Sequence, residues 1–236
     1  MTVEIEPDSG SFNVEVRARG PASAGRTDLR ARAWVLLALD ASARNGITPM
    51  SKLRFHRFIY LTNALSPVYD VQAADERIVK YQRGQFYPDL QWHLDRLMAA
   101  GLVRIANIRH FEDEDGPWME ADYRLGRPAI HAIERLVALD DMRALSTFLQ
   151  EVAKAFANHQ EDVLDDLILA DLTYADARRA RGSVINFSQP RDNLSVQAAN
   201  SFMTITRDPR MISASDRLYL YVDYMDRLHH RPLRRA

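Results

Sequence analysis

The chain has 236 residues, a formal net charge of −1 and no cysteine. Its length suits one large domain or two small ones, and its near-neutral charge gives no overall basic character of the kind expected of a dedicated nucleic-acid binder. The lack of cysteine excludes disulfides, thiolate metal sites, iron–sulfur clusters and cysteine nucleophiles. No apolar run approaches the roughly 20 residues of a membrane span, and the first residues lack the pattern of a signal peptide. We therefore expect a cytoplasmic protein without membrane contact.

Residues 1–19 predict a small N-terminal β-hairpin arm. Val3 and Ile5 alternate with glutamates, turn-forming residues follow at 7–10, and a second alternating run begins at Phe12. An isolated hairpin is only marginally stable in water. The arm therefore either packs on its own domain or adds to the sheet of a partner, with Phe12 as a candidate contact residue. The small and flexible residues at 20–27 predict a linker.

Two basic helices are predicted next. The first covers 28–44, and the second begins with Thr48 as N-cap and Pro49 at the first helical position. Their exposed cations have two explanations, a solvated helix face or a patch that follows phosphates without sequence preference. The candidates for DNA contact in this region and the segment after it are Lys52, Arg54, Arg57, Lys80 and Arg83.

The segment 28–139 predicts a winged helix-turn-helix domain. After a short extended run at 77–81, a helix at 88–100 ends at Gly101, a residue suited to the C′ position. Strands at 102–108 and 119–125 then flank a turn at 115–117. The outer face of this third helix is expected to present a protein interface formed by Trp92, His93 and Arg96.

The charge of this domain opposes the usual mode of DNA binding. The turn between the two strands follows the acidic run 112–115, and the third helix carries Asp89 and Asp95 against Arg96. DNA binding draws most of its affinity from cations that neutralise phosphates, and like charges repel over roughly 10 Å at moderate salt. The electrostatics therefore favour a protein-binding use of the domain over sequence-specific DNA binding.

The region 140–236 predicts a mainly helical second half. Helices are expected at 141–157, 161–180 and 215–228, with an irregular segment at 182–209 that holds a short strand near Ile185. On the last helix, Tyr219 and Tyr224 lie outside the main apolar stripe. They mark an interface if exposed and ordinary packing if buried, and packing is favoured. The whole chain is thus predicted to be α+β and mainly α.

No catalytic or cofactor-binding motif is found in the sequence. It contains no nucleotide-binding P-loop and no H-E-x-x-H zinc motif. The adjacent His229 and His230 would point in different directions on a helix, and the carboxylates of Asp162, Asp165 and Asp166 are more typical of a solvated face than of a cation site. We expect no catalytic residue, no metal, no cofactor and no small-molecule substrate.

A resemblance adds a biological setting. The Tyr-Pro-Asp-Leu run at 87–90, the Ala-Gly-Leu-Val run at 100–103 and the strand-to-helix passage at 123–130 resemble the middle components of three-part ABC ATPase defence systems, among them the Lamassu-type accessory subunit. Panacea-type antitoxin domains share much of this pattern. The resemblance implies a bacterial accessory subunit that binds an SMC-like or ABC-type ATPase in an antiviral or anti-plasmid complex. It would help to control an effector nuclease and make only non-specific contact with DNA.

Two other functions remain open at this level. A dimeric winged-helix transcriptional regulator would read base edges through Gln85, Gln91 and Arg96. An antitoxin that masks a toxin would, like an accessory subunit, bind a protein.

Overall fold

The computed structural model describes residues 21–73, 77–81, 84–113, 116–158, 169–176, 178, 183–187, 190–205 and 212–229. Over these residues the chain is mainly helical with small antiparallel sheets, so the predicted α+β, mainly α class is confirmed. The hairpin arm with Phe12, the candidate Arg83 and the tip of the acidic turn at 114–115 lie outside the described residues. None of the described helices combines the length and the hydropathy needed to cross a membrane.

The elements follow one another with short connections. The helices are α1 (Pro21–Arg44), α2 (Lys52–Leu65), α3 (Pro88–Ala99), α4 (Ala129–Val137), α5 (Asp140–Ala157), α6 (Leu172–Ala175), α7 (Leu194–Ile205) and α8 (Ala214–His229), with 3-10 turns at Ser66–Tyr69 and Pro190–Asp192. The strands are β1 (Met50–Ser51), β2 (Arg77–Tyr81), β3 (Gly84–Phe86), β4 (Val103–Asp113), β5 (Gly116–Leu125) and β6 (Val184–Asn186).

The strands form two antiparallel sheets. The first has the order β1-β5-β4, with Met50 opposite Tyr123. In this sheet β4 and β5 make a long hairpin with a bulge between Ala106 and Arg109. The second has the order β3-β2-β6. Its third strand comes from the C-terminal half, which is a pairing that sequence patterns do not predict.

A single apolar core joins the two regions predicted as separate at 139/140. The Trp34 ring on α1 lies 6.3 Å from that of Phe148 on α5, and the Phe58 ring on α2 lies 5.9 Å from that of Phe156. All four side chains are buried. The boundary is therefore not a break in the core, because α1 and α2 are covered by helices from the second half.

The N-terminal part differs from the prediction at two helix starts. The segment predicted as a flexible linker is helical from Pro21, since proline is tolerated in the first turn of a helix and alanine favours helix formation. The second helix begins at Lys52 and not at Pro49. Met50 instead pairs with Tyr123 in the sheet, and the Ser51 hydroxyl caps α2 by accepting the Arg54 N–H at 3.2 Å.

The C-terminal half also differs from the prediction. The helix expected at 161–180 is interrupted at Asp171, whose extended backbone and side chain cap the separate helix α6. The segment expected to be irregular contains the twelve-residue helix α7. The Asn193 side chain accepts the Val196 N–H at 3.1 Å and donates to the Ala64 carbonyl at 2.7 Å. It thereby starts α7 and attaches it to α2, while the final helix lies where the sequence predicts it.

Candidate functional site

The β4–β5 hairpin exposes large apolar side chains. Ile108 is 62% exposed and Met119 is 61% exposed, while Ile105 and Phe111 are 42% and 40% exposed. Phe111 stacks on Trp118 across the hairpin, with the ring centroids 4.7 Å apart. Single exposed apolar residues are common on protein surfaces, but a group of them on one element marks a surface used for binding.

The root of this hairpin is fixed to the N-terminus of α2. Glu120 of β5 is buried, and its carboxylate accepts the Leu53 N–H at 3.0 Å. Burial raises the pKa of Glu120, and the backbone N–H groups of Leu53 and Lys52 partly oppose this effect. A carboxylate at this position also interacts favourably with the positive end of the helix dipole. The hairpin is therefore held firmly at its root, while its apolar side chains lie exposed.

The outer face of α3 carries a second exposed aromatic group. Trp92 is 44% exposed, and the guanidinium carbon of Arg96 lies 3.6 Å from the centroid of its ring system. The guanidinium carbon of Arg32, on α1, lies 5.9 Å from the same ring. Aromatic rings held by arginine are frequent among residues that dominate protein interfaces. Two of the three predicted contact residues, Trp92 and Arg96, thus lie together on the surface.

The third, His93, does not lie on the surface. It is only 5% exposed, because α1 packs against this side of α3. Burial is the main cause of the lowered pKa of His93, and the nearby charge of Asp28 opposes it. The prediction that His93 faces outward is wrong, since the spacing along α3 gave no information on where α1 would pack.

The predicted DNA-contact cations do not form a free basic face. Arg57 is buried, contrary to prediction, because α2 is covered by neighbouring elements along most of its length. Lys52 and Arg54 are half-buried. The Lys80 ammonium donates to the Tyr174 carbonyl at 2.7 Å and lies 5.1 Å from the Tyr174 ring centroid. Each of these four cations has an interaction within the chain.

The glutamine proposed as a reader of base edges is also engaged. Gln91 donates to the Asp95 carboxylate at 2.8 Å, and its carbonyl oxygen lies 3.2 Å from Nε2 of His56. The side chain of Gln85 lies outside the described residues. Gln91 therefore connects α3 to α2 and is not directed to a ligand.

His56 makes the stability of this region dependent on pH. Its Nδ1 accepts the Tyr87 N–H at 3.3 Å, so the proton of the neutral ring lies on Nε2, which donates to Gln91. Burial lowers the pKa of His56 to about 4. The unfolded chain binds a proton below pH 6.5 and the folded chain only near pH 4, so stability present above pH 6.5 is lost as the pH falls through this window.

We expect this histidine to reduce the free energy of unfolding by up to about 3 kcal/mol between pH 6.5 and pH 4. Urea denaturation at intervals across this range measures the effect. In the variant His56→Gln the dependence should be weaker by about that amount. His110→Gln, at an exposed position on β4, is the control, and equal pH dependence in the two variants would contradict the assignment.

The two tyrosines of α8 pack against the core. The Tyr224 ring lies 6.3 Å from that of Phe202 on α7, and Tyr219 is half-buried. Burial raises the pKa of Tyr219 to about 12. The structure thus favours the packing explanation over an exposed interface.

A buried polar cluster is a feature that the sequence does not reveal. Asp171 was predicted to lie on a solvated acidic helix face, but it is fully buried. Its carboxylate accepts hydrogen bonds from the hydroxyls of Tyr60, Tyr221 and Ser195 and from two backbone N–H groups of α6. The only local signal is that aspartate favours N-cap positions. This cluster joins α2, α6, α7 and α8 in the interior and has no access to a ligand.

No group of three or more histidine or acidic side chains that could hold a metal ion occurs among the described residues. The acidic residues at 162, 165 and 166, together with the side chains of the two histidines near the C-terminus, lie outside that part of the chain. In comparisons with known proteins, no family model, no curated protein and no solved structure matches this chain.

Proposed function

We propose that this protein is a non-catalytic winged-helix subunit that binds a protein partner through the exposed apolar side chains of its β4–β5 hairpin. The order α1, β1, α2, α3, β4, β5 and the sheet order β1-β5-β4 support the winged-helix interpretation. The observation that carries the proposal is the exposure of Ile108 and Met119 on the wing, where a DNA-binding wing would present cations to phosphates.

The composition of the surface supports a protein partner. Aromatic, methionine and arginine side chains are enriched in the centres of protein interfaces, where their burial supplies most of the binding energy. Phe111 and Met119 on the hairpin and the Trp92–Arg96 pair on α3 are of these types and are solvent-accessible. Burying one such apolar side chain contributes about 1.5–3 kcal/mol.

The resemblance to middle components of three-part defence systems supplies the partner. In this proposal the hairpin binds an SMC-like or ABC-type ATPase in the bacterial cytoplasm, and the assembly keeps an effector nuclease inactive until foreign DNA is sensed. The chain itself contributes binding surfaces and no catalytic group.

Binding should fail when the hairpin is made polar. We expect the double variant Ile108→Lys and Met119→Lys to weaken binding to the co-expressed ATPase of the same host at least ~10-fold, since two apolar contacts are lost and two cations are buried. Co-purification at high salt followed by calorimetry measures this.

Ile130→Lys is a suitable control, because Ile130 is 56% exposed on α4, away from the hairpin. Equal loss of binding in this variant would contradict the hairpin as the site. Absence of any ATPase binding by the unmodified chain would overturn the choice of partner.

A further inference from the structure

Two arginines lie directly opposite each other at the root of the β4–β5 hairpin. Arg104 pairs with Arg124 in the strand register, both are exposed, and exposed Arg127 follows after a short turn. In the described part of the chain none of the three forms an ion pair with a carboxylate. Like charges directly opposite each other destabilise a sheet, so this pairing has a cost in stability that a bound anion would offset.

The nearest carboxylate does not compensate these charges. Asp122 occupies the neighbouring position of the register, opposite Ala106. One of its oxygens accepts from the Asn107 amide at 2.8 Å, and the other accepts from Arg109 at 3.0 Å. Because both oxygens are engaged on the side of the bulge, the positive charge of the arginine pair stays available to a ligand.

We propose that Arg104 and Arg124, extended by Arg127, bind the phosphate backbone of duplex nucleic acid without sequence preference. Guanidinium groups match the geometry of phosphate oxygens and bind them through paired hydrogen bonds. This inference does not depend on the proposed protein partner. It places the phosphate contact on the wing root and not on the cations of α2.

A backbone phosphate fits this surface better than an acidic protein. Protein interfaces draw their energy from apolar centres that exclude water, whereas Arg104 and Arg124 share their face of the hairpin with Ala106 and the paired Asp122. Nucleic-acid backbones are bound through hydrated charges and counterion release, which requires no apolar centre.

The acidic tip of the hairpin does not prevent this contact. Eight residues separate Arg124 from Gly116 at the far end of β5, which corresponds to about 27 Å at ~3.4 Å per residue. The Debye length at physiological salt is about 8 Å. The repulsion between the acidic turn and a phosphate at the root is therefore largely screened.

The test uses the purified full chain and a labelled 30-base-pair duplex of arbitrary sequence, with anisotropy measured over a range of salt concentrations. We expect salt-dependent binding by the unmodified chain. In the double variant Arg104→Gln and Arg124→Gln, affinity should fall at least ~10-fold at low salt. The slope of log K against log salt should also decrease by about 2, or ~0.9 for each lost phosphate contact.

The control variant, Arg191→Gln with Arg227→Gln, removes the same charge from exposed positions in the C-terminal half and should keep the original slope. The melting temperature of the hairpin variant should be no lower than that of the unmodified chain, because a like-charge pair has been removed. An unchanged slope in the hairpin variant, or no duplex binding by the unmodified chain, would overturn the proposal. Equal competition by polyglutamate would do the same, since it would show that any polyanion is bound.

Discussion

Replacement of Asp171 by alanine should destabilise the fold by about 4 kcal/mol, which is a large fraction of the stability of a typical domain. The carboxylate is fully buried and accepts five hydrogen bonds. Its removal leaves the hydroxyls of Tyr60, Tyr221 and Ser195 in the interior without their acceptor. Buried donors that lose their partners carry their full desolvation cost, and urea denaturation at pH 7 measures the loss.

The donors of this cluster remain protonated throughout the physiological range. Burial, and then the negative charge of Asp171, raise the pKa of both Tyr60 and Tyr221 well above the usual value. Ser195 donates to Asp171 at 2.7 Å, and its own oxygen lies 2.6 Å from the Thr173 hydroxyl. The hydrogen bonds therefore form one connected network, in which the loss of the central acceptor affects every member.

Two further variants test the explanation. Asp171→Asn keeps the shape and one acceptor oxygen, so it should cost only about half as much as the alanine variant. Asp223→Ala removes an exposed aspartate that pairs with Arg227 within α8 and should cost under ~1 kcal/mol. If Asp171→Ala were as mild as Asp223→Ala, the carboxylate would not be the centre of the network.

The second large effect is expected at Gly126, where the hairpin passes into α4. A Cβ atom at this position would lie 2.0 Å from the carbonyl oxygen of Gly101, the residue that follows α3 with a φ of +69°. The Gly126 N–H donates to the Leu102 carbonyl at 2.8 Å. We expect Gly126→Ala to cost about 3 kcal/mol, since two backbone segments must separate and no side-chain rotation can relieve the contact.

Gly46→Ala is the matched control for this substitution. Gly46 has a φ of +74°, but a Cβ there would meet nothing within 4 Å. Its expected cost is about 1 kcal/mol, which reflects backbone conformation alone. Thermal and urea denaturation of both variants would separate the two effects, and similar losses would contradict the close approach of the backbones at Gly126.

Both predictions concern how the surface elements are held in position. Gly126 closes the root of the hairpin against the end of α3, and Glu120 ties the same hairpin to α2. A loss of either contact should shift Arg104 and Arg124 together with the apolar side chains farther along the hairpin. Stability should therefore be measured alongside binding in every hairpin variant.

The sequence by itself determined the elements whose residues carry local signals. The end of α3 at Gly101, the long alternating strands of the hairpin and the final helix lie close to their predicted positions. Periodicity, turn residues and caps act between neighbours in the chain, so they can be recognised without knowledge of the fold. The overall α+β, mainly α class follows from the same local patterns.

Only the tertiary structure decided which polar side chains are buried and which charges are left without a partner. His93, Arg57 and Asp171 have the spacing of surface residues, yet α1, the neighbours of α2 and the C-terminal helices cover them. The opposition of Arg104 and Arg124 depends on the register of the hairpin and on its bulge. Burial and cross-strand pairing arise from segments distant in the chain, and for this reason local patterns could not indicate the candidate site.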